Sequence, residues 1–536
     1  MKTTAEQSYI EVQALSLELI KGLAALATPY VMIRRLSPTG LIRIENREQS
    51  AVWAKKSRDY LANLSRKVAP NWAIPILLQM LNDCYYGKRR DQVIEFGVAV
   101  KLSLAFVSEN VFRGGNDGIV QKSLPAIQRI ILAAHCFQLL RTTDMAFGIY
   151  SQDGDFVEYN DLGAARQSAN FRQIAVESRT VFSKRGASHR TLTDAFNGIW
   201  KNLSKAAEAI ENVLNDDPPN EQEAFNNTLL SAVPVGAKLF WEGLWARVGL
   251  AIKWIEFHKS ITKSSLRRIL VFAPIDATLP PKFSEKFPDA FRRLLWDTEW
   301  YDREIDKSPD SMIVERPVLT LSREGNMYAT SFLAIADSLN WFIEASVLCY
   351  PGEGARLPGH IFQKYVSRSF EESAIQLFRS HGFLAGRVSD KGSWHTQNGT
   401  ISLSNHSDAR IPGEIDVLAH NPNVAPVTLV ECKVLGYPKN ERRLRNILAK
   451  FQEADSEGFQ STISKKLQWI KSNRYFTQMN CLQFAGMILL DRKMPGMFAE
   501  REYPIIDFDT LKQTLSNGPR SETKPGEATG RQQGHP

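Results

Sequence analysis

Asp416, Glu431 and Lys433 are the residues of this chain whose types and spacing point to chemistry. They lie in "IPGEIDVLAHNPNVAPVTLVECKVL", from Ile411 to Leu435, where an apolar stretch would ordinarily carry valine or leucine. Glu431 and Lys433 are two residues apart, so in an extended strand they share one face while Val430, Cys432 and Val434 share the other. Charge beside an apolar strand is costly unless it is paired or binds an ion. An acid and a base at one strand end are therefore either an ion pair or part of an ion-binding site.

Two strands are needed to bring these groups together. Ile415–Leu418 and Val427–Val434 are apolar and rich in β-branched residues, and "NPN" at 421–423 supplies a turn between them, so the stretch reads as a hairpin. A helix from about His360 to Ser380 precedes it. After it come "NERRLRNILAKF", with Leu444, Ile447, Leu448 and Phe451 on one face and Asn440 as its cap, a second helix around "SKKLQWI", and a strand "FAGMILL" at 484–490. The order α-β-β-α-β predicts a mixed sheet flanked by helices, with the charged strand end opening on a cleft.

With these residues in place, the stretch from about 360 to 515 resembles the PD-(D/E)xK, or restriction-endonuclease-like, nuclease superfamily, near its Mrr and Holliday-junction-resolvase-like branches. There an acid ends one strand and an E-x-K ends the next, roles that fall here on Asp416, Glu431 and Lys433. The resemblance implies a central mixed sheet and a Mg²⁺- or Mn²⁺-dependent endonuclease acting on nucleic acid, DNA ahead of RNA, with restriction or defence against foreign DNA as a setting suggested by fold analogy. Ile415 stands where proline often precedes the acid, and nothing comparable covers residues 1–350. Phosphodiester hydrolysis needs a cation that neutralises the scissile phosphate and lowers the pKa of a water, and a hard ion takes carboxylate and carbonyl oxygens. Asp416 and Glu431 would supply carboxylates, the backbone carbonyl of Cys432 a third oxygen, and Lys433 would position water or stabilise transition-state charge.

The pattern [DE]-x-K also occurs as "DRK" at 491 and "ETK" at 522, but only "ECK" at 431 has an acid on a partner strand upstream. The superfamily often carries one further acid on the preceding helix, and "RSFEESAIQLF" at 368–378 offers two. Residues three and four apart share a helix face, so Glu371 goes with Ala374, Ile375 and Phe378, inward, and Glu372 with Arg368, Gln376 and Arg379, outward. Glu371 is thus the fourth candidate catalytic residue. A local excess of base follows the hairpin, and Arg442, Arg443, Arg445, Lys450, Lys465 and Lys466 are the candidates to hold a phosphate backbone without reading bases. The plainer account of such a run is a solvated helix face.

Around this segment the chain is ordinary in composition: 536 residues, 43% hydrophobic, 23% charged, net charge +8. That length predicts two or three packed domains, and the charge leans towards polyanionic partners. Residues 1–215 read as a mostly helical domain of unknown role, with a hairpin signal at 147–159. Residues 223–355 read as a mixed α/β region, 356–516 as the nuclease-like domain, and 517–536 as a disordered tail, with a linker at 215–223. Scattered cysteines without a C-x-x-C pair suit a reducing compartment, and the start lacks an apolar signal core. Leu229–Trp254 carries four charges and reads as a buried helix, so a cytoplasmic protein without membrane contact is expected. The five histidines of the nuclease-like segment (His360, His381, His395, His406, His420) have no metal-ligand spacing. The N-terminal region could serve recognition, homodimerisation or a partner protein. The alternative reading is a catalytically inactive nucleic-acid-binding or interaction protein that keeps the nuclease fold.

Overall fold

A computed structural model describes most of residues 2–172, 233–257, 292–348, 355–435 and 458–516, with the strand Ile269–Phe272 and a few residues near 450. The linker expected at 215–223, the tail from 517, Asn440 and the arginines at 442, 443 and 445 lie outside the described residues. The chain divides into two compact units, Met1–Arg368 with two short later stretches, and Ser369–Val434 with Lys450–Lys493 and Met497–Pro536. Residues 1–368 thus fall in one unit, where the sequence suggested two domains and the beginning of a third.

The larger unit is chiefly helical. Arg47–Ser65, Pro70–Tyr86, Gly97–Val107 and Leu124–Tyr150 pack around a buried apolar core, and Asn46 caps the first of these by accepting the Gln49 N–H. The expected hairpin at 147–159 does not form. Phe147, 2% exposed, lies instead within the long helix, which runs on to Tyr150, and the strand begins only at Val157, pairing with Leu41–Ile44 and Ala165–Gln167. Adding residues to an existing helix that buries an aromatic ring wins over a local turn signal. The strand Ile269–Phe272, the hairpin of Leu319–Thr320 with Tyr328–Ser331, and the helix Phe332–Val347 give residues 223–355 the mixed α/β character expected of them. Lys238–Phe257 is a helix with Leu244, Trp245 and Val248 buried. No helix among the described residues is long and apolar enough to cross a membrane.

The smaller unit is an α/β domain. Its elements are α1 (Arg368–Ser380), β1 (Leu384–Val388), β2 (Ser393–Thr396), β3 (Gly399–Ser402), β4 (Ile415–Asn421), β5 (Val424–Lys433), α2 (Phe459–Lys471), α3 (Arg474–Gln478), β6 (Phe484–Leu490), β7 (Ile505–Asp507) and α4 (Phe508–Ser516). The seven strands form one mixed sheet in the order β7-β6-β5-β4-β1-β2-β3. β5, β6 and β7 run parallel, and the other neighbours are antiparallel. Parallel neighbours require a crossover, and α2 lies in the segment joining β5 to β6. The α-β-β-α-β plan is therefore too short: β1, β2 and β3 stand between α1 and the hairpin, and β7 follows β6.

Side-chain alternation sorts the sheet into two layers. On one face Val417, Ala419, Val430, Cys432 and Leu489 pack with Phe370, Ala374, Ile375 and Phe378 of α1 and Leu511 of α4. On the other, Ile463, Leu467 and Ile470 of α2 are buried. A close approach sets the height of α2: a Cβ on Gly486 of β6 would meet Ile463 Cγ2 at 2.6 Å and Leu467 Cδ1 at 2.7 Å. Only glycine leaves room there.

Candidate functional site

The hairpin register assembles the site. Val417 pairs with Val430, so one residue further Asp416 stands opposite Glu431, and cross-strand neighbours share a face. The Cys432 backbone N–H donates to Asp416 Oδ2 at 2.8 Å, which ties the side chain of β4 to the main chain of β5. Lys433 Nζ donates to Glu431 Oε1 at 2.6 Å. From α2, Lys466 Nζ donates to Glu431 Oε2, also at 2.6 Å. The side chains of Glu431 and Lys466 are each 5% exposed and that of Lys433 is 29% exposed, so one ammonium is sealed in and the other reaches water. Lys433 Nζ also lies 5.5 Å from the centre of the Phe459 ring, in the first turn of α2.

These neighbours set the charge states. Burial first, then the charge of Glu431, pushes the Asp416 carboxyl up to about 7, against the opposing pull of Lys433 and Lys466. Burial acts to raise Glu431 too, but the two ammonium groups outweigh it and hold its carboxyl below the usual range. Burial acts to lower Lys433, yet the charges of Glu431 and Asp416 keep it above its ordinary value. The Cys432 thiol, turned into the core as expected, is pushed far up by burial, which leaves it no nucleophile.

The helix phase predicted for α1 holds. Glu371 is 8% exposed and points inward, while the Glu372 side chain is 54% exposed, 2.6 Å from Gln376 Nε2 and 3.9 Å from an Arg379 nitrogen. The partner of Glu371 is the surprise: Arg387 of β1 donates to its Oε2. A carboxylate on the packed face needs a counter-charge, and a guanidinium from the neighbouring sheet supplies one. Glu371 still bears on the site, since its charge contributes to raising Asp416.

Lys466 departs from expectation in another way. It was grouped with residues facing a phosphate backbone, but it is 4% exposed and turned towards Glu431, because it shares a helix face with Ile463, Leu467 and Ile470. Lys465 and Lys450 are exposed, as a backbone-holding role needs. Two residues were missed as members of the site, Arg387 and Lys466. Both left a signal: an arginine inside the apolar strand "LAGRV", and a lysine on the apolar stripe of "ISKKLQWI". The second acid-x-basic stretch, "DRK", makes a structural pair. Asp491 binds Arg492 at 3.0 Å with both side chains buried, and its N–H donates to the Lys433 carbonyl.

The donor set fits a hard divalent cation. Asp416 and Glu431 are adjacent carboxylates on one face of the hairpin, Asp416 held by the Cys432 N–H and Glu431 by two lysines. Among the described residues no three side chains of His, Cys, Asp and Glu converge, so side chains would give two carboxylates only. Mg²⁺ is commonly bound in that way, with water and substrate phosphate completing its shell. Each ionised carboxylate oxygen has more than one lone-pair site, so the Glu431 oxygens can serve a cation without losing every lysine contact. Comparisons with protein families, curated proteins and solved structures find no match to this chain.

Proposed function

We propose that the smaller unit is a metal-dependent nuclease of the PD-(D/E)xK kind, hydrolysing phosphodiester bonds in nucleic acid, DNA in the first place. The observation that carries this reading is the juxtaposition of Asp416, Glu431 and Lys433 at adjoining strand ends, on one face of a mixed sheet. When bound, Mg²⁺ or Mn²⁺ supplies charge neutralisation at the scissile phosphate and a more acidic water. Asp416 and Glu431 would hold that ion, with the Cys432 carbonyl as a further oxygen. Lys433, partly exposed, would place its ammonium beside the phosphate oxygen on which negative charge grows. Exposed Lys450 and Lys465 would hold the backbone.

The test is incubation of the full-length protein with supercoiled plasmid, linear duplex, branched DNA and RNA, in Mg²⁺ or Mn²⁺ and in EDTA. Cleavage in metal that stops in EDTA, and is lost in Asp416→Asn, supports the reading; no cleavage of any substrate defeats it. A second reading, a nucleic-acid-binding or interaction protein without cleavage, draws on one observation: both oxygens of Glu431 are engaged by lysines. Retarded mobility of DNA without any cut product would favour it.

A further inference from the structure

Lys466 is buried on the inner face of α2, with Ile463, Leu467 and Ile470 beside it on the helix, and Glu431 is its ion-pair partner among the described residues. A buried ammonium is costly, and a single lysine, Lys433, already sits on Glu431. The second therefore has to be explained. The helix that carries it is seated closely on the sheet, since a Cβ on Gly486 would meet Ile463 Cγ2 at 2.6 Å and Leu467 Cδ1 at 2.7 Å. Lys433 differs: its side chain is more than a quarter exposed, and it approaches the same carboxylate from the open side.

We propose that Lys466 is a positioning residue of this site, a fixed counter-charge that holds Glu431 by Oε2 so that Lys433 is free to leave Oε1 for the phosphate of the substrate. This rests on the nuclease reading above and deepens it. Glu431 is 3% exposed. With Lys433 as its only ammonium, departure of that group towards substrate would leave a buried carboxylate with less compensation, and Lys433 would be retained. With Lys466 in place the carboxylate stays paired whichever way Lys433 turns. Lys466 also opposes a cation at the site, by charge and by occupying an oxygen, so the same residue weakens metal binding while it promotes turnover.

This predicts an unusual split. In Lys466→Met, Mn²⁺ affinity measured by calorimetry without nucleic acid should tighten about tenfold, the scale of removing one nearby unit charge in a partly buried site. Cleavage at saturating Mn²⁺ should fall about tenfold or more, with KM for DNA unchanged. Lys466→Arg, which keeps the charge, should retain the wild-type Mn²⁺ affinity and recover part of the rate. If Lys466→Met does not fold, Lys466→Gln carries the same two expectations, because it keeps a hydrogen-bond donor and removes the charge. A merely structural lysine would lower metal affinity, rate and melting temperature together, and that result overturns the proposal. So does wild-type turnover in the neutral variant. A wild-type protein that neither cleaves nor binds Mn²⁺ is a different failure: it defeats the nuclease reading and this inference with it.

Discussion

The Asp416 side chain takes the backbone N–H of Cys432 as its donor, so the acid of one strand is fastened to the main chain of the next, beside the second acid. Asp416 therefore has two separable jobs. Asp416→Asn keeps an acceptor for Cys432 and should preserve the fold while reducing cleavage by about 10²-fold or more. Asp416→Ala also removes the acceptor, and stranding that N–H should cost about 1–3 kcal/mol more in a denaturant melt. Equal stabilities for the two variants would show that the hydrogen bond matters little.

The pair of Glu371 and Arg387 joins α1 to β1 with both side chains mostly out of water. Arg387→Met should destabilise by about 3 kcal/mol, because it leaves a carboxylate in the packed layer without its guanidinium. Combining it with Glu371→Gln should return much of that loss, and the double-mutant cycle reads the coupling directly. Additive effects would mean that the two do not act as a pair.

Stability of the metal-free protein should depend on pH in a way that identifies Asp416. Its folded carboxyl is raised to about 7 from an ordinary value of 3.8, so the folded state binds the proton more tightly than the unfolded chain does. This group therefore makes the protein more stable as pH falls from about 7 towards 4, and the gain is absent above 7. Glu431 acts in the opposite sense, being held below its ordinary 4.5, and its contribution is lost only at lower pH. Melting temperatures in EDTA at pH 8 and pH 5.5 should therefore differ in the wild type, and Asp416→Asn should flatten the difference. A slope unchanged by that substitution would place its origin elsewhere.

Lys450 and Lys465 are exposed, and each should contribute to binding without regard to base sequence. Replacing both with alanine should make the salt dependence of DNA affinity shallower by about one unit of slope for each phosphate that no longer meets an ammonium. Lys466→Met should leave that slope where it is, since the residue is buried on the inner face of α2. A salt slope that moves with Lys466 and not with Lys465 would reverse the two assignments.

The hairpin of β4 and β5 was legible in the sequence because two features coincide there, β-branched apolar runs and charges that interrupt them. The inward turn of Glu371 was legible from helical spacing alone. The strands Ser393–Thr396 and Gly399–Ser402 were not, since Trp394 and Ile401 are their only large apolar side chains, too few to read as an alternation. Their existence is decided by pairing with β1, and Gly386 there shows how near they come: a Cβ on it would fall 1.7 Å from the His395 carbonyl oxygen. Partners across the fold were hidden for a related reason. Nothing local in "LAGRV" says that Arg387 will meet Glu371, and the charge run around Lys466 suggested a solvated face although its spacing from Ile463 and Ile470 suggests the opposite.

The register that sets Val417 against Val430 has a consequence for how faithfully the domain folds. Slipping one strand by a single residue exchanges its two faces. For β5 that would drive Glu431 and Lys433 into the layer where Phe370, Ala374 and Phe378 pack, and turn Val430 and Cys432 out towards α2 and the site. For β4 it would do the same to Asp416. The charges that make the site expensive in the native state make every neighbouring misfold more expensive still. They act as a proofreading mark on the central hairpin, and a chain that has folded at all has its acids and its lysine on the correct side of the sheet.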